Sequence, residues 1–325
     1  MRRAVLRGLA VLGCGLRAAP ARAQSESYPS RPVRLIVPFP PGGSTDLFAR
    51  SLAARLADSW RQPVVVENRA GGGGTIGAGL AARAAPDGYT LMMGHIGTLA
   101  VNVSMFARLP YDPVGDFMPV AQIASVPNVL VVNPTVPLHD VRELLAFARV
   151  NPDRLMYASG GNGGAAHIAM EHFKQRTGVR IVHVPYKGTA QALTDVLSGQ
   201  VAMTMTGAPP LMPHLQAGSL RALGVSGLHR VEALAQVPTI AESGVPGFDA
   251  TQWYGVVAPA GTARPVVEKL NREIRAILAS PAMRERLRSE GAIATTGTPE
   301  EFAVFIRSEI ARWAAVIASA GIRPD

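Results

Sequence analysis

Short apolar runs of strand length alternate with helix-length segments along nearly the whole chain. The first series has strand signals at residues 33–37, 64–66 and 89–93, and a helical segment at 46–60. A second series follows Pro119, with strand signals at residues 129–132, 155–158, 181–184, 201–206 and 220–225. Strands that alternate with helices predict right-handed βαβ units and mostly parallel sheets. The chain is therefore expected to have an α/β fold.

The two series imply two lobes within the 325 residues. Proline-rich crossings lie near residues 126–127 and 245–247, and one more strand signal at 253–258 precedes three helical segments. We expect a first lobe of residues 24–124 and 253–325, joined by a hinge to a second lobe of residues 125–252. A ligand cleft should then lie between the lobes, at the carboxyl ends of the strands.

The first 23 residues have the features of a secretory signal peptide. They contain five arginines and no acidic residue, an apolar stretch at residues 8–16, and Ala21-Arg22-Ala23 as a cleavage site. Cleavage after Ala23 is expected, which places the mature protein in the periplasm. Arg2-Arg3 also resembles a twin-arginine signal and residues 11–14 a lipoprotein box, so the export route stays open.

The net charge excludes one class of partner. Removing the five arginines of the signal from the 32 basic residues leaves 27 basic residues against 23 acidic ones, a net charge of +4. That charge is too small and too scattered to indicate a nucleic-acid partner. Outside the N-terminus, no apolar stretch approaches the roughly 18 residues that a membrane span needs.

Three turns that contain glycine, at residues 39–46, 159–164 and 184–189, each follow a strand signal and precede a helix signal. Glycine lets the backbone approach a ligand closely, and the first N–H groups of the following helix point toward that ligand. The turns therefore favour an anion such as a carboxylate in the cleft. Ser44 or Thr45 is also suited to cap the first of these helices, and the two roles are compatible.

A fourth glycine motif, Gly72-x-Gly74-x-x-Gly77, matches the dinucleotide-binding fingerprint. A dinucleotide site needs an acidic residue at the end of the next strand to hold the ribose. That strand ends at His95 without an acid, so the motif is interpreted as a close-packing turn.

The histidines and Lys187 each allow a structural interpretation beside a functional one. His167 and His172 are five residues apart, so they cannot chelate one metal ion from the same helix face. His167 is either cleft-facing or capping, and Lys187 is either solvated or part of a positive field beside the third turn. No known catalytic signature is present. The sequence thus predicts no catalysis, cofactor or metal site.

Motifs along the whole predicted mature chain resemble those of one family. They include residues 34–46, 64–69, 86–91, 109–113, 183–189, 194–201, 237–239, 246–248 and 258–262. In this order they resemble the Bug receptors, extracytoplasmic solute-binding proteins similar to the substrate-binding component of tripartite tricarboxylate transporters. The resemblance implies a two-lobed periplasmic binding protein fold of type II-like architecture that closes on its ligand.

The resemblance also implies a ligand class and a set of contacts. Family members typically bind di- and tricarboxylates, acidic amino acids or aromatic acids, through backbone N–H groups, hydroxyls and ordered waters. Together with the turns, this predicts ligand-binding residues at Phe39, Gly43, Ser44, Thr45, His95, Ser159, Gly160, Asn162, His167, Tyr186, Lys187, Gly188, Thr189 and Trp253. Gly161 and Gly164 depart from residues common in the family, and His95 stands at a variable position, which leaves the far end of the ligand open.

The expected function is a monomeric periplasmic receptor that delivers an organic acid to the membrane subunits of such a transporter. One alternative is an exported α/β hydrolase that uses His167 or His95, which requires an acid within hydrogen-bond reach of that histidine. Another is a ligand-sensing receptor for a signalling kinase, which needs the same two-lobed fold.

Overall fold

The computed structural model describes residues 28–320, and the predicted signal peptide lies outside this range. Between these limits the chain forms two α/β lobes, each built on one sheet with helices on both faces. No helix within residues 28–320 is long and apolar enough to cross a membrane.

The first sheet contains six strands from both ends of the chain: β1 (Val33–Val37), β2 (Val64–Asn68), β3 (Thr90–His95), β4 (Phe117–Val126), β10 (Gln252–Pro259) and β11 (Ile293–Ala294). Their order across the sheet is β11-β4-β10-β3-β1-β2. β1 pairs in parallel with β2 and β3, whereas β10 is antiparallel to both β3 and β4, and β11 is antiparallel to β4.

Six helices belong to the first lobe: α1 (Ser44–Trp60), α2 (Thr75–Ala82), α3 (Asn102–Met105), α8 (Arg264–Ala279), α9 (Pro281–Ser289) and α10 (Pro299–Ala320). α1 and α8 bury Phe48 and Leu270 in the core on one face of the sheet. α10 buries Phe302 and Ile306 in the core on the other face. Both faces of the sheet are thus covered, and its strands β3 and β10 are accordingly buried over their whole length.

The second sheet contains five strands: β5 (Asn128–Val132), β6 (Met156–Ser159), β7 (Val182–Pro185), β8 (Met203–Gly207) and β9 (Arg221–Val225). Their order is β7-β6-β8-β5-β9, with β6 parallel to β7 and β8, and β5 antiparallel to β8 and β9. The helices around this sheet are α4 (Val141–Val150), α5 (Ala165–Thr177), α6 (Thr189–Leu197) and α7 (Met212–Gln216).

The chain passes between the two sheets twice. It leaves the first sheet at Val126 and enters the second at Asn128, and it returns between Val225 and Gln252. The first passage is direct, because only Pro127 separates β4 from β5. These two connections lie side by side and are the only covalent links between the lobes among the described residues, an arrangement that allows hinge motion.

The two-lobed α/β architecture is confirmed, but the sheets are mixed rather than mostly parallel. The difference comes from the strands that connect the lobes. β4 was not predicted, since Pro119 and Gln122 interrupt its apolar run, and it lies antiparallel beside β10. In the first sheet the reversed strand is β10, which returns from the second lobe and runs antiparallel to β3 and β4. In the second sheet it is β5, which enters from the first lobe and runs antiparallel to β8 and β9. A strand that enters a lobe from the other lobe need not follow the βαβ rule, because no crossover helix sets its direction.

Candidate functional site

A pocket that is partly open to solvent lies between the two lobes. The first lobe lines it with the turn before α1, with the end of β3 and with β10, and the second lobe with the starts of α5 and α6 and the end of β8. The lining residues are Phe39, Pro40, Gly43, Ser44, Thr45, His95, Gly160, Gly164, Ala165, Ala166, Gly188, Thr189, Thr206, Gln252 and Tyr254. The predicted cleft and its three turns therefore meet at one place.

Three helices of 17, 13 and 9 residues begin at this pocket. Their N-cap residues are Gly43 for α1, Gly164 for α5 and Gly188 for α6. Glycine has no side chain that could accept a hydrogen bond from the first N–H groups of its helix. Each of the three helices thus directs free N–H groups and the positive end of its dipole toward the pocket. This arrangement favours an anionic group.

The turn before α1 is fixed from behind by Asp46, which is 3% exposed. Its carboxylate accepts hydrogen bonds from the Gly42 N–H (3.1 Å), Arg50 Nε (3.0 Å) and Asn68 Nδ2 (2.9 Å). Burial raises the pKa of the Asp46 carboxyl, but these hydrogen bonds outweigh burial and hold it below its usual range. Asp46 is therefore an ionised structural residue that positions Gly43 and Ser44.

The turn before α5 is held by two side chains that lie behind the pocket. Ser159 Oγ accepts the Gly161 N–H at 3.2 Å and lies 2.6 Å from Nε2 of His183. His167 Nδ1 accepts the Gly163 N–H at 3.1 Å, and its ring stacks on His183 with 4.3 Å between centroids. Ser159 and His167 thus shape the turn and are not among the residues that line the pocket.

One wall of the pocket is a fixed hydrogen-bond network centred on Gln252. The Gly97 N–H donates to His95 Nδ1 at 3.0 Å, so His95 carries its hydrogen on Nε2 and donates it to Gln252 Oε1 at 3.1 Å. The Tyr254 hydroxyl donates to the same oxygen at 2.6 Å, and Gln252 Nε2 donates to Asn128 Oδ1. These bonds fix the orientation of each side chain.

The wall is electrically neutral. His95 is 4% exposed, and burial lowers its pKa to about 4 in spite of its hydrogen bond to Gln252. Burial likewise raises the pKa of the Tyr254 hydroxyl far above its usual value. No Asp, Glu, Lys or Arg occurs among the described residues that line the pocket. Its electrostatic character is therefore set by helix starts and hydroxyl groups.

Eight of the fourteen predicted residues line the pocket: Phe39, Gly43, Ser44, Thr45, His95, Gly160, Gly188 and Thr189. Besides Ser159 and His167, four others lie elsewhere. The Tyr186 hydroxyl donates to Asp195 at 2.6 Å, which raises the pKa of Tyr186 to about 12, and Lys187 is exposed. The backbone oxygen of Asn162 faces Gly73 of the other lobe.

Trp253 is the predicted residue that the structure places farthest from this role. It is 2% exposed, its indole Nε1 donates to Glu309 Oε2 at 2.8 Å, and its ring packs against Phe302 and Phe305 of α10. Adjacent residues of a strand point to opposite faces of the sheet. Because Gln252 and Tyr254 line the pocket, Trp253 faces the core on the other side.

The pocket also contains residues that the sequence did not identify, namely Pro40, Gly164, Ala165, Ala166, Thr206, Gln252 and Tyr254. Pro40 and Gly164 lie inside turns already singled out, and Ala165 and Ala166 directly follow one of them, so a window extended by two residues would have included them. Gln252 and Tyr254 flank Trp253 in a strand that is buried over its whole length. Such a strand has no polar alternation that would indicate which face meets the ligand.

The arrangement lacks the parts of a hydrolytic site around His95. Both of its ring nitrogens are engaged, one by the Gly97 N–H and one by the amide of Gln252, and neither partner is an acid. A histidine base needs a carboxylate or a similar group to stabilise its protonated form. Among residues 28–320, no group of three or more His, Cys, Asp or Glu side chains could hold a metal ion.

A two-lobed α/β chain whose inter-lobe pocket is built from helix starts has the architecture of a solute-binding receptor. The family model of the tripartite tricarboxylate transporter family receptor, TctC, matches residues 48–322. Protein BugT of Bordetella pertussis is 42% identical over 318 residues, which cover 97% of this chain and 98% of BugT. The chain therefore belongs to the TctC family, and the resemblance to Bug receptors is confirmed.

Solved structures agree with this family. An R. palustris protein with adipate matches this chain with a TM-score of 0.89 and 41% identity. The match covers 92% of this chain and 100% of that protein. The periplasmic binding protein BugD has a TM-score of 0.87 at 35% identity, with coverage of 92% and 100%. MatC from Rhodopseudomonas palustris with bound malate has a TM-score of 0.84 at 35% identity, with coverage of 89% and 100%.

The family consists of receptors and BugD is a periplasmic binding protein, so the chain is a solute-binding receptor and not an enzyme. The hydrolase alternative is accordingly set aside.

Proposed function

We propose that this receptor captures a small organic carboxylate between its lobes and delivers it to the membrane subunits of a tripartite tricarboxylate-type transporter. The observation that carries the proposal is the convergence of three glycine-capped helix starts on one acid-free pocket. Adipate and malate, which two of the solved relatives contain, are both carboxylates. The family description supports delivery to a transporter.

The two lobes approach each other closely around the pocket. A Cβ atom added to Gly188 of the second lobe would lie 2.9 Å from Cγ of Pro40 in the first lobe. A Cβ atom added to Gly43 would lie 3.5 Å from Oγ1 of Thr189. A carboxylate at this point can contact N–H groups of both lobes at once. Contacts that exist only in the closed state allow the ligand to stabilise that state.

The available interactions are sufficient for useful affinity. A hydrogen bond to a charged group contributes about 1.5–3 kcal/mol. Three or four such bonds contribute about 5–12 kcal/mol in total, from which the costs of ordering and closure are subtracted, whereas a micromolar dissociation constant corresponds to roughly 8 kcal/mol. No cationic side chain is required for this, because the helix starts supply the positive field.

The proposal includes the location and organisation of the mature protein. Cleavage after Ala23 would release a monomer into the periplasm, with a first lobe of residues 24–124 and 253–325 and a second lobe of residues 125–252. β4 ends at Val126 and β10 begins at Gln252, so the proposed boundaries lie within two residues of the ends of these strands. N-terminal sequencing of the exported protein tests the cleavage site. Its elution volume in size-exclusion chromatography tests whether it is a monomer.

A thermal-shift screen of residues 24–325 against carboxylates and their amides tests the ligand class. A ligand at 100 times its dissociation constant stabilises the folded state by about 2.7 kcal/mol, which a melting curve resolves. We expect one or two acids to raise the melting temperature while the matching amides do not. No shift with any carboxylate would contradict the proposal.

Delivery to a transporter is tested by uptake of the same acid in a strain that lacks this receptor. Loss of uptake would support delivery, whereas normal uptake would contradict it.

A further inference from the structure

We propose that the glycine turn at residues 71–74 and Asn102, both in the first lobe, form a closure clamp that holds the turn before α5 of the second lobe and slows ligand release. This inference rests on the proposed function, because it needs a ligand that the lobes enclose. It gives the fourth glycine motif, Gly72-x-Gly74-x-x-Gly77, a role that its match to a dinucleotide fingerprint does not explain.

The two lobes approach each other closely at this clamp. A Cβ atom added to Gly73 would lie 3.4 Å from the backbone oxygen of Asn162, and one added to Gly97 would lie 3.8 Å from the backbone oxygen of Gly163. Asn162 and Gly163 belong to the turn before α5. None of these four residues is among the described residues that line the pocket. The first lobe therefore meets this turn at a place outside the pocket lining.

The glycine turn requires glycine both for its backbone and for the space around it. The φ angles of residues 71–74 are all positive, between 56° and 129°, a region that residues with a side chain rarely adopt. A Cβ atom added to Gly74 would lie 2.6 Å from Cγ2 of Thr98, which is too close for two carbon atoms. The turn thus brings its backbone, and not a side chain, toward the second lobe.

Asn102 fixes the position of this turn. Its side chain is fully buried, and its Nδ2 donates to the backbone oxygen of Gly73 at 3.1 Å and to the Tyr111 hydroxyl at 3.2 Å. The Tyr111 hydroxyl donates in turn to the backbone oxygen of Thr98 at 2.7 Å. The amide nitrogen of Asn102 is thus engaged within the first lobe, and this determines where the amide oxygen points.

That oxygen faces the second lobe. Asn102 Oδ1 is buried, has no hydrogen-bond partner among residues 28–320, and would lie 4.0 Å from a Cβ atom added to Gly163. Gly163 directly precedes Gly164, the N-cap of α5. The positive end of the α5 dipole attracts an acceptor at this place. Asn102 therefore holds the turn of its own lobe with its amide nitrogen and stabilises the facing turn with its oxygen.

Contacts between the lobes exist only after closure, so they affect how long the closed state lasts. Gly164 and Ala165, next to the clamped turn, line the pocket. Holding the turn therefore also keeps the first N–H groups of α5 against a bound carboxylate. Loss of the clamp should speed ligand dissociation, whereas association with the open receptor should change little, since the clamp is not formed there.

Substitution of Asn102 by alanine tests the clamp in stopped-flow binding experiments on the mature chain. The probe is the carboxylate found by thermal shift, with adipate and malate tried first. We expect dissociation about fivefold faster or more, and association within about twofold of the unaltered protein. An unchanged dissociation rate in folded Asn102→Ala would overturn the inference and leave the proposed function intact. Slower association with unchanged dissociation would overturn it as well.

Asn271→Ala is the matched control for this variant. Asn271 is also buried in the first lobe, and its Nδ2 donates to two backbone oxygens there, those of Val120 and Gly297. Its loss should lower the free energy of unfolding, as the loss of Asn102 does, but should leave the dissociation rate unchanged. Equal acceleration of dissociation in both variants would show a general loss of stability and overturn the inference.

A second pair of variants tests the clamp while Asn102 stays in place. In Gly73→Leu the side chain would extend from a Cβ atom that already lies 3.4 Å from the backbone oxygen of Asn162, so it should hinder closure. Gly178→Leu has a similar φ, 70° against 62°, but no described atom lies within 4 Å of its added Cβ. We expect faster dissociation in Gly73→Leu only. Equal dissociation rates in the two variants would overturn the inference, and failure of every carboxylate to bind the unaltered protein would overturn the proposed function together with it.

Discussion

Substitution of Gly188 by alanine tests whether ligand binding depends on the close approach of the two lobes. The added Cβ would lie 2.9 Å from Cγ and 3.2 Å from Cβ of Pro40, which belongs to the opposite lobe. Carbon atoms in contact prefer separations of about 3.5–4.0 Å, so the lobes must stay roughly 0.6–1 Å farther apart. Pro40 cannot rotate away, because its ring is fixed to the backbone.

This separation lengthens the hydrogen bonds that a ligand makes to one of the lobes. Loss of a single charge-assisted bond costs about 2 kcal/mol, which corresponds to a roughly 30-fold weaker affinity. The open state has no such clash, but Gly188 has a φ of 159°, a conformation that costs alanine about 1–3 kcal/mol, so the free energy of unfolding without ligand should fall by about that amount. Calorimetric titration with the acid found by thermal shift, together with chemical denaturation, measures both quantities.

A matched control is available in Gly227, which lies outside the pocket. A Cβ atom added there would make only ordinary contacts at 3.5 Å with His229, Pro127 and Thr251. Gly227→Ala should therefore bind ligand with the affinity of the unaltered protein. Parental affinity in Gly188→Ala would refute the argument that closure of the lobes at Pro40 is needed for binding.

Three further predictions follow from the placement of single side chains. Trp253→Phe removes a hydrogen bond to the buried Glu309, so the free energy of unfolding measured by chemical denaturation should fall by about 1–3 kcal/mol. Ligand affinity should stay unchanged, and weaker binding would show that Trp253 belongs to the ligand site. Lys187→Ala should alter calorimetric affinity less than threefold, since an exposed charge is largely screened, and a tenfold loss would contradict its exposed position. The pKa of His95 is about 4 in the folded protein, below its usual value of about 6.5 in the unfolded chain, so the unfolded chain takes up this proton at a higher pH. The free energy of unfolding should therefore decrease as the pH falls from 6.5 to 4, by up to about 3 kcal/mol from this residue. Denaturation at pH 7 and pH 4.5 should show a smaller loss in His95→Gln, and an equal loss would show that His95 is not the source.

The three turns could be predicted from sequence because each is a local pattern. One or more glycines after an apolar run, followed by a helical segment, indicate both the strand end and the helix start within a few residues. Gly43 and Gly188 were recognised in this way, and the structure places both in the pocket. The positions of the helix starts relative to one another follow once the strands are known to end at one edge of each sheet.

The face of β10 could not be predicted, since this strand is buried on both sides and its sequence has no polar alternation. Trp253 was chosen for its aromatic ring, whereas its neighbours Gln252 and Tyr254 reach the pocket. The roles of Ser159 and His167 were also not accessible, because His183, which contacts both, lies on a different strand. Contacts between strands depend on sheet order, and sheet order is a property of the whole fold.

A backbone amide NMR titration of the mature protein with the acid found by thermal shift tests directly whether the helix starts hold the carboxylate. We predict that the amide resonances of Ser44, Thr45, Ala165, Ala166 and Thr189 move together with one dissociation constant, because these N–H groups begin the three helices at the pocket. The resonance of Lys187, whose N–H donates to Gln191, should move less. Saturable binding that leaves the amides of the helix starts unmoved would contradict the central claim that they hold the carboxylate.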